Sequence, residues 1–148
     1  MSLRDLYGGI SEIGKAVVHR FKDAEVLLAN RRWRAAMYLA GYAVECCLKA
    51  KLMKKYDCDH MKDLGAELEK RGKLSEANDI YTHSLELLMR LTDRLQTLQT
   101  DAERWRQFST INRWVPAWRY ASSQSNEDDA SDFLEATDAV VRWIDHNV

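Results

Sequence analysis

The run Arg32-Trp33-Arg34-Ala35-Ala36-Met37-Tyr38-Leu39-Ala40-Gly41-Tyr42-Ala43-Val44-Glu45-Cys46-Cys47-Leu48-Lys49-Ala50 decides the fold. Between Ala35 and Leu48 nearly every residue is apolar or small. A helix that is apolar around most of its circumference belongs in the middle of a bundle. The segment is therefore read as a central helix that opens at Arg31 and runs to about Lys55, with Asn30 as the stop or cap before it. Its positive residues Lys49, Lys51, Lys54 and Lys55 gather in the last turns, where they complement the helix dipole.

Upstream, Leu3, Leu6, Ile10, Ile13, Val17, Phe21, Ala24 and Leu28 recur at three- and four-residue steps. They form one apolar stripe and predict a helix from about Leu3 to Ala29. Gly8, Gly9 and Gly14 weaken it by roughly 1 kcal/mol each relative to Ala, and eight stripe positions outweigh that. Gly8-Gly9 is no phosphate loop, because no strand precedes it and no Lys-Ser/Thr follows. Met1-Ser2-Leu3 reads either as a cloning remnant or as the start of this helix.

Downstream, Tyr56 to His60 is a polar loop, and a short helix is expected over Met61–Lys70, stopping at Arg71-Gly72. Ile80, Leu85, Leu88, Leu91, Leu95 and Leu98 predict a longer helix from about Ser75, the candidate N-cap, to Gln99. Arg104 to Ser123 is rich in Trp and interrupted by Pro116. Ser125-Asn126-Glu127-Asp128 is close to a capping box, opening a last helix from about Asp128 to His146 with Phe133, Leu134, Ala136, Val140, Trp143 and Ile144 on its apolar side. The expected architecture is all-α: an antiparallel, up-and-down bundle of four to five main helices plus a short one, forming one domain over residues 1–148.

Composition agrees. One proline and six glycines in 148 residues are too little punctuation for a strand-rich fold. No apolar run approaches the roughly 18 residues of a membrane span and no signal peptide opens the chain, so the expectation is a cytoplasmic protein without membrane contact. Cys46, Cys47 and Cys58 have neither disulfide nor zinc spacing, and read as buried thiols in a reducing compartment. His19, His60, His83 and His146 are scattered, with no His-x-x-x-His or Glu-x-x-His pair, so no metal and no cofactor is expected.

The net charge is −1, which argues against a strongly basic nucleic-acid binder. Its distribution is uneven. Residues 1–75 carry 15 Lys/Arg against 10 Asp/Glu, and residues 76–148 carry 7 against 13. Within the acidic half, Arg104 to Arg119 holds four arginines and no acid. Such a patch can hold a phosphate, or pair with the acidic tail.

Two constellations carry possible chemistry. Tyr38, Tyr42, Glu45 and Lys49 share one face of the central helix, beside the packing stripe Met37, Gly41, Val44 and Leu48. A carboxylate there costs several kcal/mol unless it is partnered, and Lys49 lies one turn on. Glu45 is then either a satisfied core acid or a cleft residue facing a ligand. The second constellation is Asn112-Arg113-Trp114-Val115-Pro116-Ala117-Trp118-Arg119-Tyr120. Trp105, Trp114 and Trp118 either stack a base or plug the end of the bundle. Arg113 and Arg119 either grip phosphate with a two-pronged guanidinium, or pair with Glu45 or the Glu127–Asp132 acids.

The run from Arg32 to Ala50 resembles the second helix of HEPN domains, which joins an Ala-rich, Tyr-containing stretch to a Glu and a Leu-Lys-Ala. Trp114-x4-Arg119-Tyr120 resembles the family's second signature, and His60 before Met61-Lys62-Asp63-Leu64 stands where many members have a His-Asp-Leu-like turn. The resemblance implies antiparallel helices, frequent dimerisation, and nucleotide binding or RNA cleavage. It also implies toxin–antitoxin or defence contexts and nucleotidyltransferase partners. In the nuclease members, the chemistry rests on Arg, four to six residues, then His. Here five residues after Arg113 stands Trp118, and five after Arg119 stands Gln124. Arg142 and His146 are too close and lie at the C-terminal end. The general acid/base for ribose cleavage is missing from that motif.

The sequence reading is thus a non-catalytic, homodimeric module for a nucleotide or RNA segment, with Tyr42, Glu45, Lys49, Arg113, Trp118, Arg119 and Tyr120 around the ligand. Its alternatives are a divergent metal-independent ribonuclease and an interaction subunit for a nucleotidyltransferase-type partner.

Overall fold

Burial along the chain follows the apolar pattern and puts the Trp33–Lys55 helix at the centre. The computed structural model describes residues 9–148. Among them are seven α-helices and no strand: α1 Ile10–Ala29, α2 Trp33–Lys55, α3 Met61–Lys70, α4 Leu85–Leu91, α5 Leu95–Thr100, α6 Ala102–Ile111 and α7 Glu127–Asn147. Two 3-10 turns, Ala77–Tyr81 and Pro116–Tyr120, complete the order.

α2 buries 13 of its 23 residues, and Ala36, Met37, Ala40, Val44, Leu48 and Leu52 are wholly inaccessible. α1 and α7 pack along it, and α4 meets it as well. Ile10, Ile13, Val17, Leu27 and Leu28 of α1 lie against this core, while Phe133, Val140 and Ile144 bring α7 to it. Each buried Leu or Ile contributes roughly 1.5–3 kcal/mol. The expected start of the first helix at Leu3, with Leu6 and Gly8, lies outside the described residues. Within them the helix begins at Ile10, with Gly9 as its extended N-cap.

Three helices end in the same way. After α1 the Arg32 N–H donates to Leu27 O and the Arg31 N–H to Leu28 O. After α2 the Cys58 N–H reaches Met53 O, and after α3 the Lys73 N–H reaches Leu68 O. These are Schellman closures, which need a left-handed residue just past the cap. Gly72 supplies it after α3, as the sequence anticipates, but Arg31 (φ 62°) and Asp57 (φ 54°) supply it after α1 and α2.

The helix expected from Ser75 to Gln99 is three pieces. Glu76, not Ser75, caps the first, in a reciprocal capping box with Asp79. Ser84 caps α4 by accepting from the Leu87 N–H at 3.2 Å. α4 stops at Thr92-Asp93, with Asp93 at φ 64°. Short polar side chains offer the backbone alternatives to the helix ladder, and here they break the expected helix twice. The second break is clamped: Lys73 Nζ meets Asp93 Oδ1 at 2.7 Å and Lys55 Nζ meets Oδ2 at 3.4 Å. The first break places His83 between the 3-10 turn and α4. At α7 the cap is Asn126, whose side chain accepts from the Asp129 N–H at 2.8 Å.

An L-residue in the left-handed region costs about 1–2 kcal/mol, partly offset by the stiffer unfolded chain it gives. Asp57→Gly is therefore expected to raise stability by about 0.5–1 kcal/mol. Urea unfolding checks this, and an unchanged or lowered midpoint would contradict it.

Candidate functional site on the central helix

Tyr38, Tyr42, Glu45 and Lys49 do share one face of α2, and the Asn112–Tyr120 segment lies across it. Gly41 makes the approach possible. A Cβ there would sit 2.1 Å from Trp114 Cδ1, so the indole occupies the space a side chain would need. Trp114 Nε1 donates to Tyr38 O at 2.9 Å. Its ring stacks on Tyr38, with centroids 6.1 Å apart, and meets Tyr42 edge-on at 6.3 Å. Trp114 is thus packing, as one of the two readings had it, and it fixes where the following residues stand.

Glu45 is 2% exposed. Its Oε2 accepts from Lys49 Nζ at 3.1 Å, and its Oε1 lies 2.7 Å from His83 Nδ1. A buried carboxylate persists only with such partners. Lys49 was legible from helical spacing. His83 was not, because it stands 38 residues away. The only sequence signal was a lone histidine in Thr82-His83-Ser84, where polar residues interrupt the apolar period.

The surroundings keep the neighbouring groups neutral. Burial, and then Cys46 and Glu45, push the Tyr42 hydroxyl above its ordinary pKa. Burial and then Glu45 raise Cys46 to about 12, and burial raises Cys47 to about 11. Neither thiol is a nucleophile at neutral pH.

The remaining predicted residues fall into two places. Trp118, Arg119 and Tyr120 stand together on the Pro116–Tyr120 turn. Arg119 Cζ is 4.9 Å from the Tyr120 ring centroid, and Tyr120 is 77% exposed. Hydrogen bonding to Tyr120, and after it to Tyr38, raises the guanidinium above its ordinary pKa. Trp118 packs on Phe133 and carries Arg34 over its ring at 4.8 Å. Arg113 stands elsewhere. It donates to Asp129 Oδ1 at 3.2 Å and Thr110 O at 3.2 Å, in a cleft of about 560 Å³ between α6 and α7, so its pairing is with the acidic run.

Glu45 and Arg119 each have their own partners. Tyr38, a lesser contributor to the raised Arg119 pKa, precedes Glu45 by seven positions, a rise of about 10 Å. His83, the partner of Glu45, lines a cleft of about 360 Å³ together with Ser84, Leu85, Glu86, Asn112, Trp114, Val115 and Pro116. Arg142 pairs with Asp138 at 3.0 Å, and His146 Nδ1 lies 2.7 Å from Arg142 O. Among the described residues no group of three or more His, Cys, Asp or Glu is placed to hold a metal ion, and no helix is long and apolar enough to cross a membrane.

The fold is thus an all-helical bundle whose central helix carries a partnered carboxylate. The chain belongs to the HEPN domain family: the family model matches residues 18–147. Comparison with curated proteins and with solved structures finds no match. At the level of the family this supports a nucleotide- or RNA-related module.

Glu45→Ala leaves Lys49 buried without its counter-ion, and is expected to cost about 3–5 kcal/mol. His83→Ala removes a half-exposed partner and is expected to cost about 1 kcal/mol. Chemical denaturation of both variants checks the ranking, and equal costs would contradict the assignment of Lys49 as the main counter-ion.

Proposed function

We propose that the chain is a binding module for single-stranded RNA or a nucleotide, gripped by the Pro116–Tyr120 turn. The observation that carries this reading is the Arg119–Tyr120 pair, a charged guanidinium beside an aromatic ring that is 77% exposed. Base stacking on an exposed ring and phosphate contact by an adjacent arginine are how proteins hold a strand without reading it. Arg34 over Trp118 adds a second cation–aromatic pair, and the exposed Arg31 and Arg32 precede it. Positive charge thus collects at this end of α2, although the net charge is −1.

Binding is favoured over cleavage because no arginine is followed by a histidine with four to six residues between them; Arg142 and His146 have only three. Homodimerisation is part of the proposal. HEPN domains commonly dimerise, and α1 exposes Val18 (54%) and Val26 (61%), Val18 beside an apolar groove of about 220 Å³ that also includes Phe21 and Val141. A toxin–antitoxin or defence setting, with a nucleotidyltransferase-type partner, extends the same reading.

Anisotropy titration of a labelled single-stranded RNA tests it. Tyr120→Ala is expected to weaken binding by about 1–3 kcal/mol. Arg119→Ala is expected to weaken it and to flatten the salt dependence by about 0.7 in log–log slope. If neither variant changes binding, the reading fails. Val18→Glu is expected to shift a dimer to monomer in sedimentation, and a dimer that survives it places the interface elsewhere.

A further inference from the structure

Beside the strand-gripping turn, the geometry points to a nucleobase subsite that selects an amino-bearing base edge, adenine or cytosine, through His83. This rests on the strand-binding reading above and deepens it.

The subsite is organised by the buried carboxylate. Glu45 is fixed by Lys49 on one oxygen, and His83 Nδ1 lies 2.7 Å from the other. A carboxylate oxygen only accepts, so it draws the imidazole proton to Nδ1. In the neutral ring Nε2 then carries a lone pair. The His83 side chain is 51% exposed and lines the cleft of about 360 Å³, so this acceptor is open to a ligand. A buried ion pair has set the hydrogen-bonding sign of a surface group.

The rest of the cleft suits a base better than a phosphate. Glu86 adds a second acceptor, Asn112 offers an amide, and Leu85, Trp114, Val115 and Pro116 form apolar walls. No Lys or Arg lines it; Arg90, which pairs with Glu86 at 3.5 Å, stands outside the lining, so a phosphate would meet the Glu86 carboxylate with no lining cation to hold it. A ligand edge that donates hydrogen bonds fits this set, as the 6-amino group of adenine and the 4-amino group of cytosine do. The phosphate belongs to Arg119. Pro116 and Arg119 are three residues apart in a 3-10 turn, about 6 Å, so a base in the cleft and its neighbouring phosphate at Arg119 are within one nucleotide's reach.

The test compares strands that differ in that group and in the ring nitrogen beside it, which carries a hydrogen in inosine and uridine. Hexamers of adenosine and inosine, and of cytidine and uridine, are titrated by anisotropy against the full chain. The amino-bearing member of each pair is expected to bind about tenfold tighter, the effect of one good hydrogen bond. His83→Phe should bring the tighter strand down to the level of the weaker one. Glu45→Gln, whose amide can donate to Nδ1 and so move the ring proton to Nε2, should reverse the preference. Should Glu45→Gln fail to fold in a circular-dichroism melt, the half-exposed His83→Phe carries the test alone. Equal binding of amino and oxo strands by the wild type overturns the subsite. The strand-binding reading survives that result if Arg119→Ala still weakens both. A wild type that binds none of the four hexamers overturns both.

Discussion

At Gly41 the indole of Trp114 fills the volume where any other residue would carry its Cβ. The segment from Asn112 to Tyr120 depends on that contact for its position. With Trp114 lodged on α2 and its Nε1 bonded to the Tyr38 carbonyl, Val115 and Pro116 become the wall of a cleft. Interiors are packed at near-crystalline density, so a missing methyl group on one helix can determine the address of nine residues on another segment. The site is therefore built by subtraction, from the side of the helix that contributes no chemistry.

Glu45 is the other constraint, and it works against stability. A carboxylate in the most buried helix is a group that a well-packed apolar residue often replaces with neutral or favourable effect. Its cost is offset by Lys49 within the helix and by His83 from across the bundle. The two partners differ in character. Lys49 is 8% exposed and neutralises charge; His83 is half-exposed and transmits the carboxylate's demand for a donor to the surface. Tyr42, Cys46 and Cys47 lie close by with their protons held on by burial.

What the sequence disclosed depended on the range over which its physics acts. Helical periodicity is local, so α1, α2, α3 and α7 were legible, and so was the pairing of Glu45 with Lys49 one turn away. The Ser75–Gln99 segment misled because its leucines keep helical spacing across the second break, from Leu91 to Leu95, while across the first the step from Ile80 to Leu85 is five. The deciding information lay in Glu76, Ser84 and Asp93, whose side chains bond backbone or distant lysines. Gly41 read as plain packing, and nothing local announced that a tryptophan 73 positions on would need its space. Of the site residues, Trp118, Arg119 and Tyr120 stand together as their adjacency suggests, Arg113 turns to Asp129, and His83 was hidden by sequence distance alone.

The broken Ser75–Gln99 segment gives the bundle an uneven resistance to local opening. α4 and α5 have seven and six residues, well below the roughly 12–15 at which a helix is even marginal by itself, so their order is borrowed from the core beneath them. α2 belongs to the last part of the molecule to yield, and the Thr82–Ser84 link belongs to a part that opens at lower free energy. The Glu45–His83 bond joins these two regimes. Opening of the link would return Glu45 to Lys49 alone and closure would restore the imidazole, so the occupancy of one hydrogen bond would record the opening of an entire segment. A ligand seated against His83 and the start of α4 would be felt as slower amide exchange along the whole of α4, beyond the residues it touches.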